Sequence, residues 1–550
     1  MIKKYCFNNC HYKIMYGGAK IKSQWTVLQH NGPMFPSEYA PHQVPVIIND
    51  KHITLSPLAE EYATMFAKFI DTPYMDNNTF KKNFWKDFKP TLPPNLNIKE
   101  LSEIDFTPIK KYLTLEKDKK QSMTKEEKEI IKKKQDELDE PYRFCIIDGV
   151  QQQVGNYKIE PPGIFLGRGT HPKIGRIKKR IMPEDVTINL SKDAKVPVPN
   201  LKGHTWSAVI HEHKVIWLAS WKEPITGKNK YVFTSLDSFF KSKSDESKFN
   251  LAKQLKRKVG TIRETYENQL NDINLKNKQL ATALYVIDNL ALRVGGTKDT
   301  KEEADTVGVT SLRVEHITLL EDNMIKLDFL GKDSVRYCRK VAVHSQVYQN
   351  IKLFMEGKQK KDDLFDLVTP SMLNEYLSSF MEGLTAKVWR TFNASLLFQK
   401  EIDKIKEDRV VELDANEKLN YLIAMFNQAN TAVAMLCNHQ KSGNTSIDST
   451  IKKFDDKIKE LKKKKKKYQE KKNHVKTKKT EIKIKALKLK KETKLKMKNV
   501  SLGTSKNNYI DPRIIFAFIK KFNIPSEKLF TKVLLKRFEW AAKVEKDYRF

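Results

Sequence analysis

Residues 504–513 are TSKNNYIDPR, and they place a tyrosine just before the start of a helix. Asp511 belongs to the residue types that cap helix N-termini, and Pro512 fits the first helical position. We therefore expect Tyr509 on a short polar loop that leads into this helix. Most loop tyrosines are packing or surface residues, but in a strongly basic chain this hydroxyl is also a candidate nucleophile for a phosphodiester.

The composition indicates a polyanionic partner. The 550 residues include 102 Lys or Arg against 67 Asp or Glu, a formal net charge of +35. A broad positive field attracts nucleic acid, and binding gains free energy from counterion release. The alternative is a packing protein of the ribosomal or chromatin kind, but 39% apolar residues suffice for a substantial core. The length predicts about two to four domains.

The five cysteines are odd in number and mostly scattered, which favours a reducing compartment. Cys6, Cys10 and His11 lie close together, yet no second pair follows at zinc-finger spacing, so we expect no metal and no cofactor. No apolar run approaches the roughly 18 residues of a membrane span. The expectation is a soluble intracellular protein.

The first half of the chain mixes helices and strands. Residues 1–24 lack periodicity and are expected to form a poorly ordered extension. Ser56-Pro57 opens a helix, and Thr124 with Glu127 predicts a capping box for a polar surface helix that ends before Pro141. Short apolar runs between residues 145 and 233 alternate with Pro and Gly, as strands and loops do.

Residues 238–440 are mainly helical, with one hairpin. A helix from about Gln279 is expected to end at Gly295-Gly296 and to carry Arg293 in its last turn. Alternating residues on both sides of Gly331-Lys332-Asp333 predict two strands joined by a tight turn, which places Lys332 at the tip. The last fifty residues are again globular in composition.

Residues 451–500 contain 23 Lys against six Asp or Glu, a net +17. Apolar residues recur there every seven positions, from Phe454 through Tyr468 and Val475 to Leu489, which predicts a thin coiled-coil seam made by two antiparallel helices that turn near residues 473–479. The alternative is a disordered basic tail. Either form is a linker that can lie along a phosphate backbone.

Phosphodiester transfer without a metal needs fixed cations, and the planar fork of Arg pairs two phosphate oxygens at once. Arg293 and Arg390 are candidates for this role. Lys332 is a candidate proton donor for the leaving alkoxide, and His439 a hydrogen-bond donor to a nonbridging oxygen. As isolated residues, all four occur more often as salt-bridge, solvated or structural side chains.

Eight segments together resemble one family, the eukaryotic type IB DNA topoisomerases. They are GRGTHPK at 167–173, RIMPED at 180–185, SKDAKVP at 191–197, ADTVG at 304–308, FLGKDS at 329–334, LTAKVWRTFNAS at 384–395, CNHQ at 437–440 and GTSKNNY at 503–509. The segments occur in the family order over roughly Trp25 to Phe550. Thr170 and Gly296-Thr297 depart from the family pattern, which commonly has Asn and Asn-Glu there.

The resemblance implies an ATP-independent isomerase that relaxes positive and negative supercoils through a 3′-phosphotyrosine at Tyr509, with neither metal nor cofactor. It implies that Arg293, Lys332, Arg390 and His439 complete the catalytic set, with Lys332 as general acid. Supporting or DNA-binding roles fall to Arg168, His171, Lys173, Asp333, Lys387, Thr504 and Asn508. Arg168, Asp333 and Asn508 also match the side chains that contact camptothecin-type drugs in the family.

The family architecture implies an α+β multidomain fold built as a two-lobed DNA clamp. Its parts would be a mixed α/β cap at 25–237, a mainly helical catalytic lobe resembling tyrosine recombinases at 238–440, a Lys-rich coiled-coil linker at 441–500 and a small helical C-terminal domain at 501–550. The expected partner is double-stranded DNA, bound by a monomer in the nucleus or another intracellular compartment that contains DNA, with replication or transcription machinery as further partners. The long charged N-terminal tail usual in the family is not seen, which puts nuclear targeting in doubt.

Two alternatives remain. A tyrosine recombinase shares the nucleophile and the cationic pocket, but recombinases typically place a His where Lys387 stands, and the segments at 167–197 have no recombinase counterpart. A noncatalytic DNA-binding or chromatin protein would form no covalent adduct.

Overall fold

The structure is a computed structural model that describes residues 23–405, 415–440, 447–496 and 500–550. The expected extension over residues 1–24 lies outside these ranges except for residues 23 and 24, and so do Cys6, Cys10 and His11. The described chain divides into two compact units. One comprises residues up to 240 together with 298–306, and the other comprises 241–297 together with 307–550.

The unit formed by residues up to 240 is a mixed α/β structure of short strands and four described helices. Its helices are α1 (Pro57–Ala67), α2 (Asn78–Phe88), α3 (Thr107–Ser122) and α4 (Lys125–Asp139). Its strands are β1 (Leu28–His30), β2 (Val46–Ile48), β3 (Lys51–Ile53), β4 (Ile104–Asp105), β5 (Phe144–Ile147), β6 (Val150–Gln153), β7 (Gly163–Ile164), β8 (Ile177–Lys178), β9 (Val186–Asn189), β10 (Ala208–Ile210), β11 (Ala219–Lys222) and β12 (Asn229–Val232).

These strands form four small sheets, with strand orders β1-β5-β6, β3-β2-β4, β7-β8 and β10-β9-β11-β12. Two hydrophobic clusters stabilise the unit. One packs phenylalanines of α1 and α2 around Phe66, whose ring centroid lies 4.3 Å from that of Phe84. The other packs β5, β9 and β11 around Trp25 and Phe35.

The helix starts predicted in this unit are confirmed. Ser56 caps α1, and Thr124 and Glu127 form the reciprocal capping box of α4, which ends at Asp139. Most of the α4 surface is exposed, as its polar sequence predicts. Leu58, in the first turn of α1, is 52% exposed, whereas Phe66 on the same helix is 2% exposed and packs in the core.

The other unit is mainly helical. Its helices are α5 (Phe239–Gln269), α6 (Leu275–Leu290), α7 (Ser345–Met355), α8 (Pro370–Phe380), α9 (Ala386–Asp403), α10 (Ala415–Leu436), α11 (Ile447–Glu470), α12 (His474–Lys496), α13 (Leu502–Asn508), α14 (Pro512–Phe522) and α15 (Lys532–Arg537). One sheet of β13 (Ile317–Leu319), β14 (Met324–Gly331) and β15 (Val335–Ala342) accompanies them. A single hydrophobic cluster runs through α5, α6, α9, α10 and α14.

The predicted hairpin is confirmed as β14 and β15. The strands pair antiparallel from Met324 opposite Ala342 to Gly331 opposite Val335, and residues 332–334 form the turn. Asp333 adopts φ 67° in this turn, a left-handed conformation that Asp tolerates better than most residues. Lys332 is exposed at the tip, where the sequence placed it.

Helices α11 and α12 form an antiparallel hairpin with its turn at residues 471–473. Ion pairs join Asp455 to Lys491 and Glu481 to Lys465 across the pair. The seven-residue apolar row does not continue through the turn: Val475, which belongs to the predicted row, is 67% exposed, whereas Ile484, which does not, is 7% exposed. Because the chain reverses direction at the turn, the spacing of buried positions starts anew in α12. This helix packs through a face that includes Thr480 and Ile484.

The described chain is therefore a multidomain α+β fold, with several small sheets and a large helical unit. Within the residues that the structure describes, we find no helix long and apolar enough to cross a membrane.

Candidate active site

Tyr509 lies at the C-terminal end of a short helix, so the expected polar loop at 504–508 was wrong. Residues 502–508 form α13 although six of these seven residues are polar or glycine, and its last turn is closed by the hydrogen bond from Tyr509 N–H to Ser505 O, 2.9 Å. The next helix is confirmed as predicted: Asp511 accepts from Arg513 N–H at 2.9 Å, and Pro512 is the first residue of α14.

The backbone around Tyr509 is fixed by a serine on α9. The Ser395 hydroxyl donates to the Tyr509 carbonyl at 3.1 Å and accepts from Asp511 N–H at 3.0 Å. Ser395 is fully buried, and Tyr509 is only 5% exposed. The tyrosine is thus held between α13 and α14 with little freedom to move.

Arg293 reaches the tyrosine hydroxyl directly, since its Nη1 donates to Tyr509 Oη at 3.2 Å. The prediction that Arg293 lies in the last turn of a helix was wrong. Helix α6 ends at Leu290, where Ala291 turns left-handed at φ 49°, and Arg293 follows in an extended segment. That segment pairs with another piece of backbone: Val309 N–H donates to Arg293 O at 2.9 Å. The close approach needs glycine, because a Cβ on Gly295 would lie 2.8 Å from the Cα of Gly308.

Arg390 lies on α9, one turn before Ser395, and is 3% exposed. Its guanidinium carbon lies 5.1 Å from the centroid of the Tyr509 ring. Nη2 donates to the Cys437 carbonyl at 3.2 Å, whereas Nε has no hydrogen-bond partner among the described residues. One donor of this buried cation therefore remains for an anion that approaches Tyr509.

His439 follows α10 and packs its ring against Tyr509, with centroids 5.2 Å apart and planes tilted by 32°. Its Nδ1 lies 2.7 Å from Ser505 Oγ, while Nε2 is buried without a partner in the described chain. Burial, assisted by the positive charges of Arg390 and Arg293, lowers the pKa of His439 to about 3. The imidazole is therefore neutral at physiological pH.

Of the predicted catalytic residues, Lys332 is the one that the structure does not bring into contact with Tyr509. It makes no hydrogen bond or ion pair with any residue in the described ranges and projects from the β14–β15 turn. Asp333 lies in the same turn.

Three predicted DNA-binding residues lie in the other compact unit. Arg168 is exposed. His171 is 9% exposed, packs edge-on against Phe165 and accepts from Lys173 N–H at 3.1 Å. The Lys173 ammonium donates to the Ile225 carbonyl at 2.6 Å and forms an ion pair with Glu302.

The remaining predicted residues surround the nucleophile helix. Asn508 donates from its side chain to the Thr504 carbonyl at 3.2 Å, and Thr504 is half-buried. Lys387 is exposed on α9, one turn before Arg390.

Sequence reasoning missed several residues that fix this site. Ser395 and Ser505 hold Tyr509 and His439, and a buried cluster supports the end of α13: Lys248 donates to the Asn508 carbonyl at 2.9 Å, Arg537 to the Asn507 carbonyl at 3.1 Å, and both pair with Asp245. The spacing of Ser505 and Tyr509, four residues apart, would have indicated a shared helix face had the segment been predicted as helical.

The arrangement suits stabilisation of charge on a phosphoryl group. A phosphorus atom bonded to the Tyr509 oxygen would lie beside Arg293, which already contacts that oxygen, and near Arg390 Nε and His439 Nε2, which have no partner in the described chain. Preorganised N–H donors in a water-poor site stabilise charge that develops in a transition state. No group of His, Cys, Asp and Glu in the described chain has the arrangement of a metal site.

Known proteins are similar in sequence to this chain over most of its length. Three family models match consecutive segments: the DNA binding fragment of eukaryotic DNA topoisomerase I over residues 23–234, its catalytic core over 237–472 and the C-terminal topoisomerase domain over 481–550. The chain is 42% identical to human DNA topoisomerase 1, across 96% of this chain and 72% of that protein. It is 40% identical to Arabidopsis thaliana DNA topoisomerase 1 beta, across 96% of this chain and 60% of that protein. It is also 42% identical to the Caenorhabditis elegans DNA topoisomerase 1, across 94% and 66%. On these matches the chain belongs to the eukaryotic DNA topoisomerase I family, the type IB isomerases.

Proposed function

We propose that the chain relaxes positive and negative DNA supercoils by transient cleavage of one strand. The Tyr509 oxygen attacks the scissile phosphorus, and the bond from phosphorus to the 5′ oxygen breaks. A 3′-phosphotyrosyl bond and a free 5′ hydroxyl result, the strand rotates, and the 5′ hydroxyl reverses the reaction. The covalent bond conserves the energy of the phosphodiester, so no ATP is needed.

The single observation that carries this proposal is the 3.2 Å bond from Arg293 to the Tyr509 hydroxyl. Arg390 and His439 contact the same side chain, so one tyrosine has two fixed cations and a neutral donor around it. Two guanidinium groups supply positive charge where a metal ion would otherwise be needed, and so we propose a reaction that requires no divalent metal.

Lys332 is the proposed general acid for the 5′ oxygen. Its exposed position at the tip of a hairpin lets a flexible ammonium group reach DNA bound over the site. Asp333 and Asn508 are proposed as neighbouring support. The proton of the Tyr509 hydroxyl is released to solvent in this scheme, which balances the proton that Lys332 gives to the leaving oxygen.

Double-stranded DNA is the proposed partner, consistent with the net charge of +35. Arg168, His171, Lys173, Lys387 and Thr504 are proposed to contact it. We propose that the chain encloses DNA as a two-lobed clamp, acts as a monomer in the nucleus, and serves replication or transcription.

The test is relaxation of negatively and positively supercoiled plasmid in EDTA and without ATP. Complete relaxation of both, in steps of one linking number, is the expected result. Strict dependence on ATP or on a divalent metal would contradict the proposal. Joining of ends between two duplexes would favour the recombinase alternative, and DNA binding without any nicked adduct would favour a noncatalytic protein.

A further inference from the structure

The structure contains a buried hydroxyl that contacts His439 and that none of the proposed catalytic steps uses. Ser505 is fully buried on α13, one turn before Tyr509, and its Oγ lies 2.7 Å from His439 Nδ1. Its carbonyl also accepts the backbone N–H groups of Tyr509 and Ile510, at 2.9 and 3.1 Å. One residue therefore contacts both the nucleophile segment and the histidine.

The hydrogen-bond inventory decides which way the bond between Ser505 and His439 runs. If Nδ1 carried the proton, it would donate to Ser505 Oγ, and the buried hydroxyl hydrogen would have no acceptor among the described residues. If the hydroxyl donates to Nδ1, the hydroxyl hydrogen and Nδ1 are both paired, and the imidazole proton resides on Nε2, the only polar atom of these two side chains that then has no partner in the described chain. Buried polar groups in folded proteins are nearly always paired, which favours the second arrangement.

We propose that Ser505 is a positioning residue that holds His439 in the tautomer with its proton on Nε2. This inference rests on the proposed function, since it makes Nε2–H the donor to a nonbridging oxygen of the scissile phosphate. Nε2 is the ring nitrogen that is buried next to Tyr509 without a partner in the described chain. The opposite tautomer would present a lone pair to the phosphate and repel it.

The surroundings keep this imidazole neutral, so that a tautomer exists to be selected. Arg390 on α9 and Arg293 after α6 are the cations that face the ring, the tilted ring of Tyr509 packs against it, and Cys437 precedes it on the chain. The backbone is held as well, because Ser501 N–H donates to His439 O at 2.8 Å. With the main chain and Nδ1 both fixed, the ring keeps one orientation.

The tautomer is measured directly on full-length protein labelled with ¹⁵N-histidine, by long-range ¹H–¹⁵N correlation at pH 7. The His439 signals are assigned as those missing from His439→Gln. We expect a protonated Nε2 in the wild type and a mixture of tautomers in Ser505→Ala. A protonated Nδ1 in the wild type, or an unchanged tautomer in Ser505→Ala, would overturn the proposal. This readout does not depend on activity, so it separates the inference from the proposed function.

The kinetic test is a double-mutant cycle on single-turnover cleavage of a DNA substrate that cannot religate. Ser505→Ala should slow cleavage by about tenfold or more, less than the full loss of a transition-state donor. DNA affinity should stay within a factor of about two, as in any loss confined to the transition state. In the His439→Gln background, where an amide N–H needs no tautomer, the same change should have almost no further effect.

The matched control is Ser378→Ala, a half-buried helix serine on α8 that donates to the Leu384 carbonyl at 3.2 Å. It should leave cleavage unchanged in both backgrounds. Ser505→Thr keeps the hydroxyl and should restore most of the rate lost in Ser505→Ala. Equal slowing by Ser505→Ala with and without His439 would show that the hydroxyl acts on the nucleophile helix instead and would overturn the assignment.

Discussion

The indole Nε1–H of Trp389 donates a 2.9 Å hydrogen bond to the carboxylate of Asp288. The same carboxylate accepts two bonds from Arg263, at 2.7 and 2.9 Å, and one from the Tyr266 hydroxyl at 2.8 Å. Asp288 is 5% exposed. One buried carboxylate thus joins α5, α6 and α9: its partner on α9 is the residue before Arg390, and Asp288 itself lies five residues before Arg293.

Asp288→Ala is expected to lower the free energy of unfolding by about 3 kcal/mol, because it leaves the buried donors of Tyr266 and Trp389 unpaired. Urea denaturation followed by tryptophan fluorescence measures the loss. The control is Asp328→Ala, which breaks an ion pair with the exposed Arg336 and should change stability little. An Asp288→Ala variant as stable as this control would contradict the role of the network.

Tyr509→Phe is expected to abolish cleavage while DNA affinity stays nearly unchanged. The substitution removes one hydroxyl and its bond from Arg293, and it keeps the ring that packs on His439. Detergent should trap wild-type protein on the 3′ end of a labelled nick and should trap none of the variant. An adduct on the 5′ end would mean that the proposed polarity is wrong.

Lys332→Ala should slow cleavage by about 10² to 10⁴-fold, the usual contribution of a general acid. Binding should change much less, since the chain carries 102 Lys or Arg. A substrate with sulfur in place of the 5′ bridging oxygen has a better leaving group and should restore most of the rate. The exposed Lys340, on β15 away from the turn, offers a control variant, Lys340→Ala, which should show neither effect. Equal slowing of Lys332→Ala on both substrates would exclude the role.

His439 should make the fold less stable as the pH falls. Its pKa is lowered to about 3 in the folded chain, against 6.5 ordinarily, so the unfolded chain alone takes up this proton between those values. Stability is therefore lost as the pH drops from about 6.5 toward 3. In His439→Gln the urea midpoint should decline less steeply over that window. A cleavage rate with an ionisation near pH 6.5 that vanishes in His439→Gln would contradict the neutral imidazole.

Deletion of residues 451–498 should weaken DNA binding and flatten its dependence on salt, because residues 451–500 hold a net +17 of the whole +35. Filter binding over a range of salt concentrations gives the slope. A variant that keeps the helices but changes Lys462, Lys463, Lys466 and Lys467 to Gln separates charge from length, and its slope should fall between those of the wild type and the deletion. An unchanged slope in the deletion would show that the hairpin does not contact DNA.

Local signals in the sequence predicted several elements of this fold and failed at others for physical reasons. The caps at Ser56, Thr124 and Asp511 were predictable because each depends on a few neighbouring residues. The end of α6 was missed because Gly295 serves a close backbone approach to Gly308 rather than a helix stop. Such long-range contacts leave no periodic pattern.

The sequence predicted which residues form the site better than it predicted how they are arranged. Arg293, Arg390 and His439 gather at Tyr509, although 216 residues separate Arg293 from the tyrosine. The contacts of Ser395 with Tyr509 and of Ser505 with His439 depend on how α9 and α13 pack. No residue type in the sequence predicts them. Lys332 differs from these residues, because it is exposed and its proposed role requires DNA to be present.

The backbone bridge between Gln440 and Val500 closes the chain on both sides of the α11–α12 hairpin. The entropy of joining the ends of an intervening segment grows only with the logarithm of its length. An inserted or deleted turn of helix between these two residues therefore adds little to the free energy of assembling His439 with Tyr509. The length of this part of the chain can therefore vary at little cost to the geometry of His439 and Tyr509, whereas its positive charge matters to the proposed contact with DNA.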